Sequence, residues 1–285
     1  MCACGYPCPH EHWTDGVCDG CGMVCAHPEY TDGKCDTCGH ICEHESVTDN
    51  VCDDCALTMT VKVETEDGDV SYTTDLEAAL SNAEDGTVVT LLDDVVLTKN
   101  AEIIGGDREI TLDLNGHSIS QKNWQTISVD GDPSDGTGVK LIITGQGDIP
   151  FNVSTHNGGE LDMSGWTGTV KSVTVDKTSG FVGPTGAGCI DQLNPVGWRN
   201  GKVGTILLQG GTINKLWMQC FESFQMPLGS LLKSGYAAKS DGEYLPYDHL
   251  IKYDYSNPYT GENWLYNLTI EPCPHTGLDE TGRCT

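Results

Sequence analysis

Cysteine and histidine recur near the start of the chain at a spacing that suits a metal ion. Three segments share the pattern Cys-x-His-x7-Cys-x2-Cys, and each copy begins 17 residues after the previous one. A fixed short period is typical of a linear array of small units. The residues in the pattern are Cys8, His10, Cys18, Cys21, Cys25, His27, Cys35, Cys38, Cys42, His44, Cys52 and Cys55.

Each copy offers three thiols and one imidazole, which is the ligand set of a Cys₃His zinc site. Disulfides are an alternative, but three cysteines per copy leave one unpaired and give the histidine no role. Iron is a further alternative. A 17-residue unit has too few apolar residues for a core, so metal binding has to supply its folding energy. We therefore expect three structural zinc ions, because no coordination position is left for water.

A tight turn precedes the Cys-x-x-Cys pair in every copy. Gly and Asn tolerate a positive φ, and one of them follows Asp at each turn. The three turns are Asp15-Gly16, Asp32-Gly33 and Asp49-Asn50. Only three residues separate Cys21 from Cys25, so we expect successive units to stack into a short, stiff spacer.

Fragments of the motif occur at both ends of the chain. Cys273, His275 and Cys284 form a candidate incomplete metal site, and the chain ends before its fourth ligand is due. We expect residues 1–57 to hold three complete repeats and one truncated repeat, and residues 272–285 to hold another truncated repeat. This arrangement indicates a piece of a longer protein.

The chain is strongly acidic, with a formal net charge of −27 over 285 residues. Such a charge disfavours nucleic acids and anionic membrane surfaces as partners. Abundant Gly, Asp, Thr and Asn with little Lys is typical of a secreted bacterial protein. We therefore expect an extracellular location, on the surface of a bacterium.

Residues 58–213 carry the pattern of a β-rich domain. Thr74 and Glu77 predict a capping box that opens a short helix, and Val88 to Leu92 has strand character. A recurring motif of alternating aliphatic residues, a polar residue and Gly predicts short strands that meet at corners. The polar-Gly pairs are Asn115-Gly116, Asp130-Gly131, Thr144-Gly145, Ser164-Gly165 and Gln209-Gly210.

The segment ITLDLNGHSI (110–119), with the helix before it, resembles the start of right-handed parallel β-helices of the pectate-lyase-like superfamily. The resemblance covers about residues 70–213 and implies a mainly β fold in which the short N-terminal helix caps the first coil. The small zinc-knuckle repeats would precede this β-helix. A β-sandwich is the alternative fold.

That superfamily includes polysaccharide lyases and hydrolases, but their catalytic residues are not found here. Polygalacturonase-like members use Gly-His-Gly and Arg-x-Lys, whereas Gly116-His117 is followed by Ser118 and no Arg-x-Lys is present. Asp93 and Asp94 are adjacent, so on a strand their carboxylates would face opposite sides. His117 is expected to be a turn residue, and no catalytic residue is predicted.

The acidic stretch 130–136 is similar to a calcium-binding loop but departs from the EF-hand pattern at its Gly. Calcium is therefore a candidate ligand of this stretch, and an ordinary acidic loop is the alternative.

Residues 214–271 are rich in aromatic side chains. A short helix from Leu228 to Ser234, a hairpin that turns at Ser240-Asp241-Gly242 and a final strand are predicted. This part is expected to close the coil as a cap. Some aromatic residues could also bind a protein or a sugar, and the candidates are Tyr247, Tyr253, Tyr255, Tyr259 and Trp264.

These features favour a non-catalytic binding or adhesion module in which zinc repeats space out a β-helix. The architecture resembles large repetitive surface proteins of anaerobic gut bacteria. That resemblance implies a host or neighbouring-cell ligand, such as a mucosal glycoprotein, an immunoglobulin or a glycan. A carbohydrate-active β-helix enzyme and a purely structural stalk are the alternatives.

Overall fold

The computed structural model describes residues 12–14, 17–27, 29–31, 33–134, 137–197, 203–220, 222–256 and 264–274. The described chain is mainly β, with a β-solenoid of about five turns, one short α-helix and a Cys/His-rich region before the solenoid. No helix among these residues is long and apolar enough to cross a membrane.

Three small antiparallel hairpins form the Cys/His-rich region. Each hairpin pairs two strands of two residues and ends on a cysteine of the repeat. The strands are β1 (Trp13–Thr14), β2 (Val17–Cys18), β3 (Tyr30–Thr31), β4 (Lys34–Cys35), β5 (Val47–Thr48) and β6 (Val51–Cys52).

A larger hairpin and the helix open the solenoid. The hairpin pairs β7 (Val61–Glu64) with β8 (Val70–Thr73), and α1 spans Leu76–Asn82. The predicted capping box is wrong, because Asp75 is the N-cap and its side chain accepts the N–H of Ala78 at 2.8 Å. Glu77 is buried instead, and its Oε1 accepts the backbone N–H groups of residues 98 and 99.

Fourteen strands then wind through the solenoid. The strands are β9 (Val88–Leu91), β10 (Val95–Leu97), β11 (Ala101–Ile104), β12 (Arg108–Asp113), β13 (Ile119–Gln121), β14 (Ile127–Asp130), β15 (Val139–Gln146), β16 (Ile149–His156), β17 (Glu160–Thr167), β18 (Thr169–Val175), β19 (Gly180–Val182), β20 (Cys189–Pro195), β21 (Thr205–Leu207) and β22 (Thr212–Trp217).

These strands form two long parallel sheets and a small third one. The first sheet runs β9-β12-β15-β17-β19-β21, the second runs β11-β14-β16-β18-β20-β22, and β10 pairs with β13. Successive neighbours in each sheet are parallel because each full turn of the chain brings the next strand beside the previous one. The prediction of a coil of parallel strands is confirmed, and the β-sandwich alternative is not observed.

Aliphatic side chains stack in register through the solenoid and form its core. One such column takes one residue from each strand of the second sheet, and every member is fully buried. Burial of an aliphatic side chain contributes about 1.5–3 kcal/mol. The column consists of Ala101, Ile127, Val153, Val173, Leu193 and Leu216.

Aspartates at the corners join one turn to the next. Asp94 accepts the N–H of Ser118 at 2.8 Å, and Asp148 accepts the N–H of Thr169 at 2.7 Å. Both acceptors lie one turn before their donors, at places where the ladder of backbone hydrogen bonds is interrupted. Some of the acidic side chains therefore accept hydrogen bonds from backbone N–H groups at the corners.

Two of the predicted corners lie inside continuous strands. Gly145 is within β15 and Gly165 is within β17, where the register between these strands shifts by one residue. This irregularity absorbs the change in direction without ending either strand. Asp93 and Asp94 were expected on a strand, but they lie in the bend between β9 and β10.

The C-terminal part closes the solenoid with antiparallel strands. β27 pairs with β22 and β24, and β24 pairs with β25, so the second sheet continues into this part. The predicted helix is shorter than expected, since a 3₁₀-helix spans Leu228–Leu231. The remaining strands are β23 (Phe224–Pro227), β24 (Tyr236–Ser240), β25 (Glu243–Tyr244), β26 (Leu250–Tyr253) and β27 (Trp264–Pro272).

Adjacent isoleucines of β11 provide a matched test of the core. Ile103 is fully buried and Ile104 is 53% exposed. We expect Ile103→Ala to lower the free energy of unfolding by about 2–5 kcal/mol through lost burial and a cavity. We expect Ile104→Ala to change it by about 0.5 kcal/mol or less. Denaturant titrations of both variants check this, and equal losses would contradict the inward assignment of Ile103.

Candidate metal centres

The hairpins bring the ligands of the second and third repeats together. In the third repeat, β5 and β6 place Cys52 at the end of the hairpin, and a turn returns Cys55 beside it. Asp49 and Asn50 both have positive φ (50° and 64°) in the hairpin turn, which matches the right-handed twist of a two-residue hairpin. The tight turn predicted at Asp49-Asn50 is therefore confirmed, whereas Asp15, Gly16 and Asp32 of the other two turns lie outside the described residues.

The four ligand atoms of each repeat converge on one point. The second centre contains Cys25, His27, Cys35 and Cys38, and the third contains Cys42, His44, Cys52 and Cys55. Within each centre the ligand atoms all lie within 4.8 Å of one another. Among the described residues, these two are the groups of three or more His, Cys, Asp or Glu side chains that converge so closely.

Distances within the centres fit a tetrahedral ion. Metal–sulfur bonds of about 2.3 Å and metal–nitrogen bonds of about 2.0–2.1 Å put sulfurs about 3.8 Å apart, and sulfur and nitrogen about 3.5 Å apart. The Sγ atoms of Cys25 and Cys35 are 3.8 Å apart, and those of Cys42 and Cys52 are 3.5 Å apart. A disulfide would need about 2.05 Å, and all six thiols are free.

The histidine ligands face the sulfurs through Nδ1. Nδ1 of His27 lies 3.3 Å from Sγ of Cys38, and Nδ1 of His44 lies 3.5 Å from Sγ of Cys55. Both histidines have positive φ (46° and 55°), a conformation that is uncommon outside glycine. This backbone curls each Cys-x-His segment around its sulfur, and the N–H of His27 points at Sγ of Cys25 at 3.4 Å.

Within each centre, backbone donors lower the pKa of one thiol, and neighbouring thiols raise the pKa of another. Burial acts to raise the pKa of Cys35, but hydrogen bonds from the Cys38 backbone, the His27 side chain and the Thr37 backbone lower it to about 6. In the third centre, burial and the adjacent thiols raise the pKa of Cys42 to about 12, whereas hydrogen bonds lower the pKa of Cys52 to about 7 although burial acts to raise it. One thiolate therefore forms readily, while its charge opposes the next, and a cation removes that opposition.

The first repeat has the same local structure where it is described. Gly22 donates its N–H to Cys18 at 2.8 Å, as Gly39 does to Cys35. Cys18 and Cys21 thus occupy positions equivalent to Cys35 and Cys38, but Cys8 and His10 lie outside the described residues. Metal binding by the first repeat stays a prediction.

The predicted incomplete site near the end of the chain is only partly described. Cys273 follows β27, forms a disulfide, and donates its N–H to Gly235 at 2.8 Å. His275 and Cys284 lie outside the described residues.

Residues between the ligands lock one repeat to the next, and ligand spacing did not reveal them. Gly33 leaves room for the ring of His44, because a Cβ there would lie 3.3 Å from that imidazole. Its carbonyl accepts the N–H of Cys42 at 2.8 Å. The ring of His40 lies 4.6 Å from that of His27, centroid to centroid. The 17-residue period could have identified Gly33, because Gly16 and Asn50 stand at the equivalent positions, but His40 has no equivalent histidine.

The aromatic candidates of the C-terminal part do not form one group. Tyr253 is only 7% exposed and belongs to the hydrophobic core, so its role is in packing. Tyr255 is 55% exposed. Tyr247 is 38% exposed and packs against Gly229. Tyr259 lies outside the described residues.

Trp264 belongs to an aromatic cluster on the outer face of β22 and β27. Its ring meets those of Trp217 and Tyr266 edge to face, at centroid distances of 6.3 and 6.0 Å. The ammonium group of Lys215 lies 4.0 Å from the centroid of Trp264 and 5.1 Å from that of Trp217. We call these four residues the Trp–Lys cluster.

The other polar positions considered in the sequence serve the fold. His117 lies at a corner, as expected, with Nδ1 3.8 Å from Asp94. In the acidic stretch 130–136, Asp132 accepts the N–H of Ser134 at 2.8 Å. Asp135 and Gly136 lie outside the described residues, so calcium binding there stays untested.

Comparisons of the chain with protein-family models, with curated proteins and with solved structures gave no match.

Substitution of one histidine ligand should abolish metal binding at one centre. In the zinc-loaded chain we expect His27→Ala to lower the zinc content by one equivalent and loosen the second repeat, because three thiols alone leave a coordination position open. Metal analysis of the purified protein measures this, and circular dichroism should show an intact solenoid. His40→Ala is the matched control, since His40 contacts His27 without being a ligand. Unchanged zinc in His27→Ala would contradict the assignment.

Proposed function

We propose that the chain is a non-catalytic binding or adhesion module of a secreted or surface-displayed bacterial protein. Its repeats bind three structural zinc ions and act as rigid spacers. The solenoid is a right-handed β-helix of the pectate-lyase-like kind. A surface in its C-terminal part binds a host protein or glycan. A mucosal glycoprotein or an immunoglobulin is the ligand class in this proposal.

The closed ligand sets support a structural role for the metal. Each described centre has four protein ligands, so a bound zinc ion keeps no position for a substrate or an activated water. Cys35 and Cys52 are each 1% exposed, which also shields the sulfurs from small molecules. Zinc is the metal that best suits three thiolates and one imidazole in a tetrahedron.

Contacts between repeats support the spacer role. The Gly33 carbonyl bond to Cys42 and the packing of His44 against Gly33 fix the second repeat on the third. Because a short linker with both a hydrogen bond and ring packing leaves few free torsions, the repeats hold the solenoid at a set distance and direction.

The Trp–Lys cluster is the observation that carries the binding role. Two half-buried tryptophans, Trp217 and Trp264, are paired here across β22 and β27. Tyr266 is 41% exposed beside them. Aromatic rings give large contact area to proteins and to sugar faces. Lys215 adds a positive charge in an acidic chain, which suits a carboxylate or sulfate group on the ligand.

Capture from mucosal secretions tests the binding role. With the zinc-loaded full chain as bait, we expect a saturable partner whose capture falls at least about tenfold in Tyr266→Ala and in Trp264→Ala, since such residues act as hot spots. Circular dichroism must show that both variants are folded. Trp124→Ala is the control, because Trp124 is 90% exposed but lies in the loop after β13, away from the cluster.

The outcomes separate the candidate functions. Equal losses in the cluster variants and the control would contradict the proposed surface. No capture by the full chain from a wide range of secretions and glycans would favour the structural stalk.

A further inference from the structure

The start of the solenoid occupies the place of a fourth repeat. Met59 stands 17 residues after Cys42, where the next repeat would have its first cysteine. Its N–H donates to the carbonyl of Asn50 at 2.7 Å, and the equivalent bond between the second and third repeats joins Cys42 to Gly33 at 2.8 Å. The solenoid therefore continues the hydrogen-bond pattern of the repeat array.

The third metal centre and the solenoid share one apolar cluster. Its buried members are Cys42, Cys52 and Met59, at 6%, 1% and 0% exposure. Tyr72 of β8 and Leu92, just after β9, pack against it from the solenoid side. Three of the candidate metal ligands, Cys42, Cys52 and the partly buried Cys55, are thus part of the packing that covers the first strands of the first sheet.

Backbone hydrogen bonds extend the same junction. Leu92 donates its N–H to the carbonyl of Thr60 at 2.8 Å, and Thr60 donates its N–H to Thr73 at 3.3 Å. The segment that leaves the third centre is therefore held on both sides by the solenoid. This junction joins the repeats to the solenoid.

We propose that metal binding at the third centre stabilises the N-terminal end of the solenoid, whereas metal binding at the second centre does not. Without the ion, the thiols of Cys42 and Cys52 lose their fixed positions, so the cluster loses the packing contacts of two buried side chains. β7, β8 and β9 then open more often. No ligand of the second centre belongs to this cluster, which the second repeat reaches through the partly buried Tyr30. This inference rests on the proposed zinc binding.

Equivalent cysteines of the two centres give the test. Cys35 and Cys52 occupy the same position of their repeats and are both 1% exposed. In the full chain we expect Cys52→Ser and Cys35→Ser each to lose one zinc ion. Hydrogen–deuterium exchange across residues 61–64, 70–73 and 88–91 should be about tenfold faster in Cys52→Ser. In Cys35→Ser it should match the unsubstituted chain. Equal exchange in both variants would overturn the proposal.

A substitution on the solenoid side tests the reverse effect. If metal binding and packing are coupled, loss of the packing must lower the metal affinity by the same factor by which loss of the metal weakens the packing. We expect Leu92→Ala to lower the affinity for one zinc ion, measured by equilibrium competition with a colorimetric chelator, and Val96→Ala, at a 55% exposed site, to leave it unchanged. An unchanged zinc affinity in Leu92→Ala would overturn the coupling. A chain that holds no zinc at all would refute the proposed metal instead, so the two failures are distinguishable.

Discussion

A stack of parallel strands has two open ends, and the need to cover them governs this structure. Each terminal strand presents unpaired N–H and C=O groups, which are costly when buried and prone to pair with other chains when exposed. The interior of the stack is simple by comparison, because every turn repeats the same aliphatic columns. Most of the irregular parts of the chain lie where an end has to be closed.

The two ends are closed in different ways. At the N-terminal end, the β7–β8 hairpin turns the first sheet antiparallel, α1 packs against β11, and the third repeat packs on the residues that follow β9. At the C-terminal end, β27 and β24 turn the second sheet antiparallel, and the 3₁₀-helix covers β21. Both solutions use a reversal of strand direction, which ends the repeating pattern and leaves a short edge.

The candidate metal centres concern a different constraint, which is the lack of a hydrophobic core in each repeat. A hairpin with two residues in each strand buries too little apolar surface to fold alone. In the proposed zinc-bound chain, convergent thiolates and an imidazole would replace the missing core with one ion. Because ligands of the third centre also pack against Met59 and the solenoid, this candidate metal centre and the apolar core meet at one junction. A metal ion there would neutralise thiolates of an acidic chain, and several corner aspartates accept backbone donors.

The metal ligands were readable from the sequence because their chemistry is local. Cys-x-x-Cys, the Cys-x-His pair and the Asp-Asn turn bring the third centre together within 14 residues, so spacing alone specifies it. The coil of strands was also predictable, since alternating aliphatic residues separated by Gly recur along the chain. The sequence-based prediction was less accurate where a residue suits two structural roles. Thr74, Asp75 and Glu77 all suit a helix start, and only the hydrogen bonds of Glu77 to the backbone after β10 remove it from the capping box and leave Asp75 as the cap.

Contacts between distant residues were decided by tertiary structure alone. Nothing local to Gly165 shows that β17 continues through it, because the bulge depends on the register of β15. Tyr253 and Tyr255 lie in similar sequence contexts, yet Tyr253 ends β26 with its side chain in the core, whereas Tyr255 lies in the turn after the strand and is exposed. The Trp–Lys cluster joins residues of β22 to residues of β27 across an antiparallel pair. The sequence determined which units form, and the three-dimensional stacking determined which of their faces meet.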